Sequence, residues 1–194
     1  MKDSYHSALW EEVDLEPVTE CSFSGGEAFQ WDISSGIPEK FSKCGAIYSE
    51  PPWRRGFDEF NKRAGVNPSG GYNELLRKVQ RACLEFGKPC FLVVSKVDRK
   101  RYDKASGHFQ IVFDSHGGSC ICVCYNVEVP NFGDGMTTSS LLKWMTKKYG
   151  VIGDFCCGYG TTGERVIKNG GEVVLCDYNA KCIAVVASKM GLHS

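Results

Sequence analysis

Apolar positions in this chain fall into short runs and helical repeats, separated by glycine- and proline-rich turns. Ala46-Ile47-Tyr48 is a short apolar run that leads into Ser49-Glu50-Pro51-Pro52-Trp53. Two prolines forbid continued strand pairing, so Glu50 and Trp53 are expected at the carboxyl end of a strand. Beyond a loop containing Asn67-Pro68-Ser69-Gly70-Gly71, the residues Tyr72, Leu75, Leu76, Val79, Ala82, Cys83 and Phe86 recur at helical spacing, with Gly87 as a stop. Cys90 to Val94 is continuously apolar, as expected of a strand covered on both faces. Phe109, Ile111 and Phe113 alternate with polar residues up to Gly117-Gly118, and Ile121 to Tyr125 returns as a second strand, which predicts a hairpin and hence a mixed sheet. Leu141, Leu142, Met145 and Tyr149 trace a short helix, and Val151-Ile152 leads into a glycine-rich turn. A helix over about 161–169 closed by Gly170-Gly171, a strand over Val173 to Cys176 and a last helix over about 180–190 complete the pattern. The first forty residues mix glycine, serine, proline and acids without sustained periodicity and read as an arm.

Length and composition narrow the class. With 194 residues, 42% hydrophobic and 24% charged, the chain is sized for one domain. This predicts an acidic arm over 1–43 and a single domain over 44–194. No apolar run approaches the ~20 residues of a membrane span, and the opening residues lack the apolar core of a signal peptide. Eleven cysteines, an odd number with no CxxC pair, are expected as free thiols in a reducing, cytoplasmic compartment. Cys120, Cys122 and Cys124 alternate along one strand face and read as packing, not as ligands, so no metal site is expected. His6, His108, His116 and His193 have no partners at catalytic spacing.

Charge balances overall at 23 basic and 23 acidic residues, yet it is unevenly placed. Residues 1–40 carry two lysines against nine acids, and residues 41–107 carry fourteen basic residues against seven acids. The basic middle includes Arg54, Arg55, Lys96, Arg99, Lys100 and Arg101. Such density suits phosphate contacts that release counterions, or a solvated surface that pairs with the arm.

The densest chemical signal is Gly153-Asp154-Phe155-Cys156-Cys157-Gly158-Tyr159-Gly160-Thr161-Thr162-Gly163, set between a strand and a helix, with Asp177 closing the next strand. Glycines there let a ligand approach the backbone, and the N–H groups of a helix start attract an anion or carboxylate. An acid at the tip of the second strand is placed to bind both ribose hydroxyls. A nucleoside-bearing cofactor is therefore expected. Gly158-x-Gly160-x-x-Gly163 also satisfies the dinucleotide pattern. Against NAD stand the closeness of Asp177 to the last glycine and the seventeen residues that follow it, too few for the strands under a second nucleotide.

Asp154 to Gly163 resembles the Asp-Pro-Phe-x-Gly-Ser-Gly-Thr-Thr-Gly motif by which circularly permuted DNA amino-methyltransferases bind S-adenosylmethionine. Met136 to Trp144 is similar to the family's helix just before that motif, without its usual Lys-Pro, and Glu50-Pro51-Pro52-Trp53 resembles the catalytic Asp/Asn/Ser-Pro-Pro-aromatic tetrapeptide. Catalytic motif first and cofactor motif last is the order of the permuted group, and the resemblance spans roughly residues 44–190. It implies an α/β, doubly wound mixed sheet with a C-terminal antiparallel hairpin, a Rossmann-like methyltransferase fold that is permuted and reduced. Residues 44–130 would be its catalytic half and residues 131–194 its cofactor half.

The resemblance further implies methyl transfer to an exocyclic amine of DNA, with adenine N6 ahead of cytosine N4 and RNA as the other nucleic acid. Glu50 and the Pro51 carbonyl would accept the amine's hydrogens, with Pro52 shaping the turn and Trp53 stacking on the base. Asp154, Phe155, Gly158, Tyr159, Gly160, Thr161, Asp177 and Tyr178 would surround the cofactor. Three departures accompany it. Glu50 stands where Asp, Asn or Ser is usual, as in the catalytically silent partner of the eukaryotic RNA adenine methylation complex. The hairpin leads directly to the pre-cofactor helix, so recognition would come from the arm, a second copy or a partner subunit. The chain also closes one strand short of the family's sheet, leaving either the arm to supply it or a reduced fold. The competing expectations are a catalytically silent methyltransferase-like protein, either a nucleic-acid-binding partner subunit or a small viral-type decoy or regulator, and other chemistry on the same cofactor; a phage or bacterial source is expected.

Overall fold

Eight strands form one sheet in a computed structural model that describes residues 15–52, 57, 58, 61, 71–98, 110–115, 120–128 and 136–191. The strands are β1 (Glu20–Phe23), β2 (Gly26–Gln30), β3 (Ala46–Ser49), β4 (Cys90–Ser95), β5 (Gln110–Ser115), β6 (Cys120–Tyr125), β7 (Val151–Asp154) and β8 (Glu172–Asp177). Their spatial order is β1-β2-β8-β7-β3-β4-β6-β5. The five strands from β2 to β4 run parallel; β1 closes one side antiparallel to β2, and the antiparallel pair β6 and β5 closes the other. The expected hairpin is β5–β6, central in sequence and at the sheet's edge in space.

Four helices among the described residues cover the sheet: α1 (Gly71–Phe86), α2 (Thr138–Tyr149), α3 (Thr161–Lys168) and α4 (Ala180–Gly191). Alternation along each strand sorts the core into two layers. Phe91 and Val93 of β4, Cys120, Cys122 and Cys124 of β6 and Leu175 of β8 face Leu141, Met145, Val166 and Ile183 of α2, α3 and α4. Leu92, Val94, Ile121, Val123 and Val174 face Leu76, Val79 and Cys83 of α1, together with Ile33 and Phe41 of the segment between β2 and β3. The two layers make β4 apolar from Cys90 to Val94 and β6 apolar throughout, because each fully buried Leu, Ile, Val or Phe contributes roughly 1.5–3 kcal/mol. The three cysteines of β6 thus pack as small apolar side chains on one face.

The stretch read as an arm behaves differently from its sequence expectation: residues 20–30 supply two strands. β2 lies parallel to β8, from Gly26 opposite Val173 to Gln30 opposite Asp177, and occupies the edge that the C-terminal half leaves open. The short, half-polar β1–β2 pair is stabilised from outside. Cys21 and Phe23 pack on the core, while Glu20 and Glu27 pair with Lys40 and Lys43 at 2.5–2.9 Å. Gly26 is needed for the close pairing, since a Cβ there would stand 2.4 Å from the Val173 carbonyl oxygen.

Chain order reverses across the middle of the sheet. From β7 the chain crosses through α3 to β8 on one side, and from β3 it crosses through α1 to β4 on the other. Between the carboxyl ends of β3 and β7 there is therefore a topological switch point, where an open α/β sheet leaves a crevice for ligands.

Candidate functional site

Both motifs end at that crevice. β3 delivers Ser49, Glu50 and Pro51, β7 delivers Asp154 and the glycine-rich turn, and β8 delivers Asp177. One bond joins the first two: the buried Ser49 hydroxyl donates to Asp154 Oδ1 at 2.7 Å. Asp154 also accepts from the Cys156 N–H at 3.0 Å. Burial pushes its carboxyl up to about 7, with Glu50 adding to the rise, while the bonds from Cys156, Ser49 and Thr162 oppose it.

Asp177 is 4% exposed and braces the glycine turn from the neighbouring strand. Its Oδ2 accepts from the Gly158 N–H and its Oδ1 from the Asn179 N–H, both at 2.9 Å. Burial raises its carboxyl to about 6 against those two bonds. Within the turn Gly158 and Gly160 take φ of +51° and +80°, left-handed conformations that favour glycine. A Cβ on Gly158 would meet no atom within 4 Å, so that side of the turn is open. Gly160 caps α3, and Thr161 begins it, exposed.

Glu50 is exposed, and the hydroxyl of the buried Tyr48, two residues earlier on the same strand face, donates to its Oε1. One carboxylate oxygen is thereby held and the other left available. Pro51 is buried and Pro52 half-buried. Tyr159 is half-buried, and its carbonyl accepts from Lys189 Nζ at 3.2 Å. Tyr178 is half-buried too, with burial and Asp32 raising its hydroxyl pKa.

Phe155 is placed elsewhere than a cofactor contact would need. Its ring is 1% exposed and packs between Phe41 and Phe86, with centroids 5.0 and 6.4 Å away, so the side chain belongs to the α1 layer of the core. Lys96 is exposed in a 3-10 turn after β4. Trp53, Arg54, Arg55, Arg99, Lys100 and Arg101 lie outside the described residues.

Four contributors escaped the sequence reading. Ser49 and Tyr48 look like strand residues, and nothing in their spacing shows that one hydroxyl reaches Asp154 and the other Glu50. Asn179 immediately precedes α4, its side chain accepting from the Lys181 N–H at 3.0 Å. Trp31 comes from the arm; its backbone N–H donates to the Asp177 carbonyl at 2.9 Å, and its indole N–H donates to the Gly36 carbonyl at 2.8 Å. An aromatic inside a polar stretch, Gln30-Trp31-Asp32, is the one signal that pointed there.

No protein-family model matches this chain, and no curated protein sequence does. Among solved structures, it is similar to TTHA0409 of Thermus thermophilus, described as a DNA modification methylase, with 11% identity over 85% of this chain and 94% of that one and a TM-score of 0.52. It is also similar to the PvuII DNA methyltransferase, described as cytosine-N4-specific, with 8% identity over 88% of this chain and 89% of that one and a TM-score of 0.52. At such identities the likeness concerns the fold, which is Rossmann-like and of the methyltransferase kind.

Proposed function

We propose that this chain is an S-adenosylmethionine-dependent methyltransferase acting on an exocyclic amine of a DNA base, adenine N6 ahead of cytosine N4. The observation that carries the reading is the 2.7 Å bond from Ser49 to Asp154, which ties the Glu50-Pro51-Pro52 segment to the glycine turn at the switch point. The donor set fits the cofactor. Asp177 offers a buried carboxylate for ribose hydroxyls, Asp154 one for an ammonium, and Gly158 an open stretch of backbone. When bound, the cofactor supplies a methyl group made electrophilic by its sulfonium.

An exocyclic amine is a poor nucleophile because its lone pair is delocalised into the ring. Glu50 and the Pro51 carbonyl would each accept one of its hydrogens and favour a more tetrahedral nitrogen, with Tyr48 holding the carboxylate in place. Trp53 would stack on a base turned out of its helix and offset part of the few kcal/mol of unstacking. An indole after Pro-Pro is what favours adenine. Arg54, Arg55, Lys96, Arg99, Lys100 and Arg101 would bind phosphates, and a second copy or partner subunit would supply recognition. The order of motifs along the chain supports a circularly permuted member of the group.

A second reading rests on Glu50 itself. Its side chain is one methylene longer than the usual residue, and a ~1 Å misplacement can cost ~100-fold in rate. On that reading the chain keeps the cofactor pocket and serves as a silent, nucleic-acid-binding subunit. The purified protein is to be incubated with methyl-labelled S-adenosylmethionine and with double- and single-stranded DNA, and the digested nucleosides counted. Label in N6-methyladenosine supports the proposal. Absence of label from protein that binds the cofactor by calorimetry replaces it with the silent reading.

A further inference from the structure

The C-terminal part of the chain is balanced in charge, yet its charges are segregated. Of the seven basic residues after position 107, five lie on α2 and α3: Lys143, Lys147, Lys148, Arg165 and Lys168. α2 contains no acid, and the one acid of α3, Glu164, pairs with Lys189 on α4 at 3.2 Å. Between α2 and α3 runs an open groove of about 400 Å³, lined by Ser139, Ser140, Lys143, Arg165, Lys168 and Asn169. Every lining side chain offers a hydrogen-bond donor, and no carboxylate or apolar side chain is among them. Arg165 Nη1 donates to Thr138 Oγ1 at 3.4 Å and links the helices; Lys143 and Lys168 make no ion pair among the described residues.

Position matters as much as charge. α2 ends where β7 begins and packs back along it, so its first turn lies at the carboxyl edge of the sheet. α3 starts at that same edge from the glycine turn. The groove thus descends the outer face of the α2–α3 pair from the edge that carries Glu50 and Asp154.

We propose that this groove binds the sugar-phosphate backbone of nucleic acid, with Lys143, Arg165 and Lys168 as the phosphate contacts. The proposal rests on the nucleic-acid substrate of the function proposed above and names a surface apart from the basic residues expected from sequence. Uncompensated cations held along one groove repel one another, and a polyanion relieves that repulsion and releases counterions. The planar guanidinium of Arg165 suits a phosphate, and the serine and asparagine donors suit further backbone oxygens. None of the lining residues is of an apolar type, which disfavours insertion of acyl chains.

The test is fluorescence anisotropy of a labelled 20-base-pair duplex against salt, using the full chain and the variant K143A/R165Q/K168A. Three lost phosphate contacts should reduce the salt slope by about 3, so that raising salt from 50 to 200 mM weakens the variant about 40-fold less than the parent. A control, K78A/K181A, removes the half-buried Lys78 and the exposed Lys181, both outside the groove, and should keep the parent slope. Calorimetry with S-adenosylmethionine separates the two proposals. Unchanged cofactor affinity with a reduced slope supports the groove. A parent slope in the triple variant, or no duplex binding by the parent, overturns the groove whatever the cofactor result. Selective loss of binding to phosphatidylserine vesicles, with duplex binding kept, overturns it in favour of a membrane surface. Failure to bind the cofactor sinks the methyltransferase reading alone.

Discussion

Replacing Asp154 by asparagine should make the cofactor-free protein more stable at alkaline pH while weakening its hold on S-adenosylmethionine. Asp154 is 1% exposed, and its carboxyl is raised from 3.8 to about 7, first by burial and then by Glu50. Between those values the folded chain keeps a proton that the unfolded chain has released, so this group's contribution to stability falls as pH rises through that window and is fully lost above it. The difference corresponds to about 4 kcal/mol at pH 8 and shrinks to about 1 kcal/mol at pH 4.5. An amide has nearly the same shape and can still accept from the Ser49 hydroxyl and the Cys156 N–H, so the charge is the main thing removed. Urea unfolding under reducing conditions, followed by tryptophan fluorescence at both pH values, measures the effect. The variant should unfold at higher urea at pH 8 and near the parent at pH 4.5. A variant less stable than the parent at pH 8, or one with the parent's pH dependence, refutes the reasoning. Calorimetry on the same sample should show weaker cofactor binding, because the carboxylate that costs stability is the group assigned to the ammonium.

Three further outcomes are expected. Asp177→Ala should weaken S-adenosylmethionine by the ~1.5–3 kcal/mol of a charged hydrogen bond, and an unchanged calorimetric affinity would remove the ribose role. Glu50→Ala should abolish label transfer and spare cofactor binding, whereas Glu50→Asp should change the rate; a rise would mark Glu50 as an impairing replacement, and parent activity in the alanine variant would take Glu50 out of the mechanism. Gly26→Ala forces a Cβ to 2.4 Å from the Val173 carbonyl oxygen and should lower stability by the ~1–3 kcal/mol of overpacking; a parent urea midpoint would contradict the close β2–β8 pairing.

The sequence by itself determined the inner elements and which residues stand at two strand ends. Cys90 to Val94 and Ile121 to Tyr125 are apolar throughout because helices cover both faces, and Tyr72 to Phe86 repeats at helical spacing because one face is buried. The glycine turn was legible because its backbone requires residues that few other side chains replace, as the φ of +80° at Gly160 shows. Asp177 was legible from its place at the end of a strand.

Tertiary structure decided the rest, because the deciding contacts join residues far apart in sequence. Glu20 to Gln30 carries too few apolar side chains to announce strands; it forms two because β8 presents an unpaired edge to β2 and lysines 40 and 43 neutralise its acids. Phe155 reads as part of a cofactor motif, yet the pleat turns its ring toward Phe41 and Phe86. Ser49 and Asp154 are 105 residues apart, and no local pattern specifies their bond. It exists because β3 and β7 pair side by side at the point where chain order reverses, which brings the two motifs to one crevice.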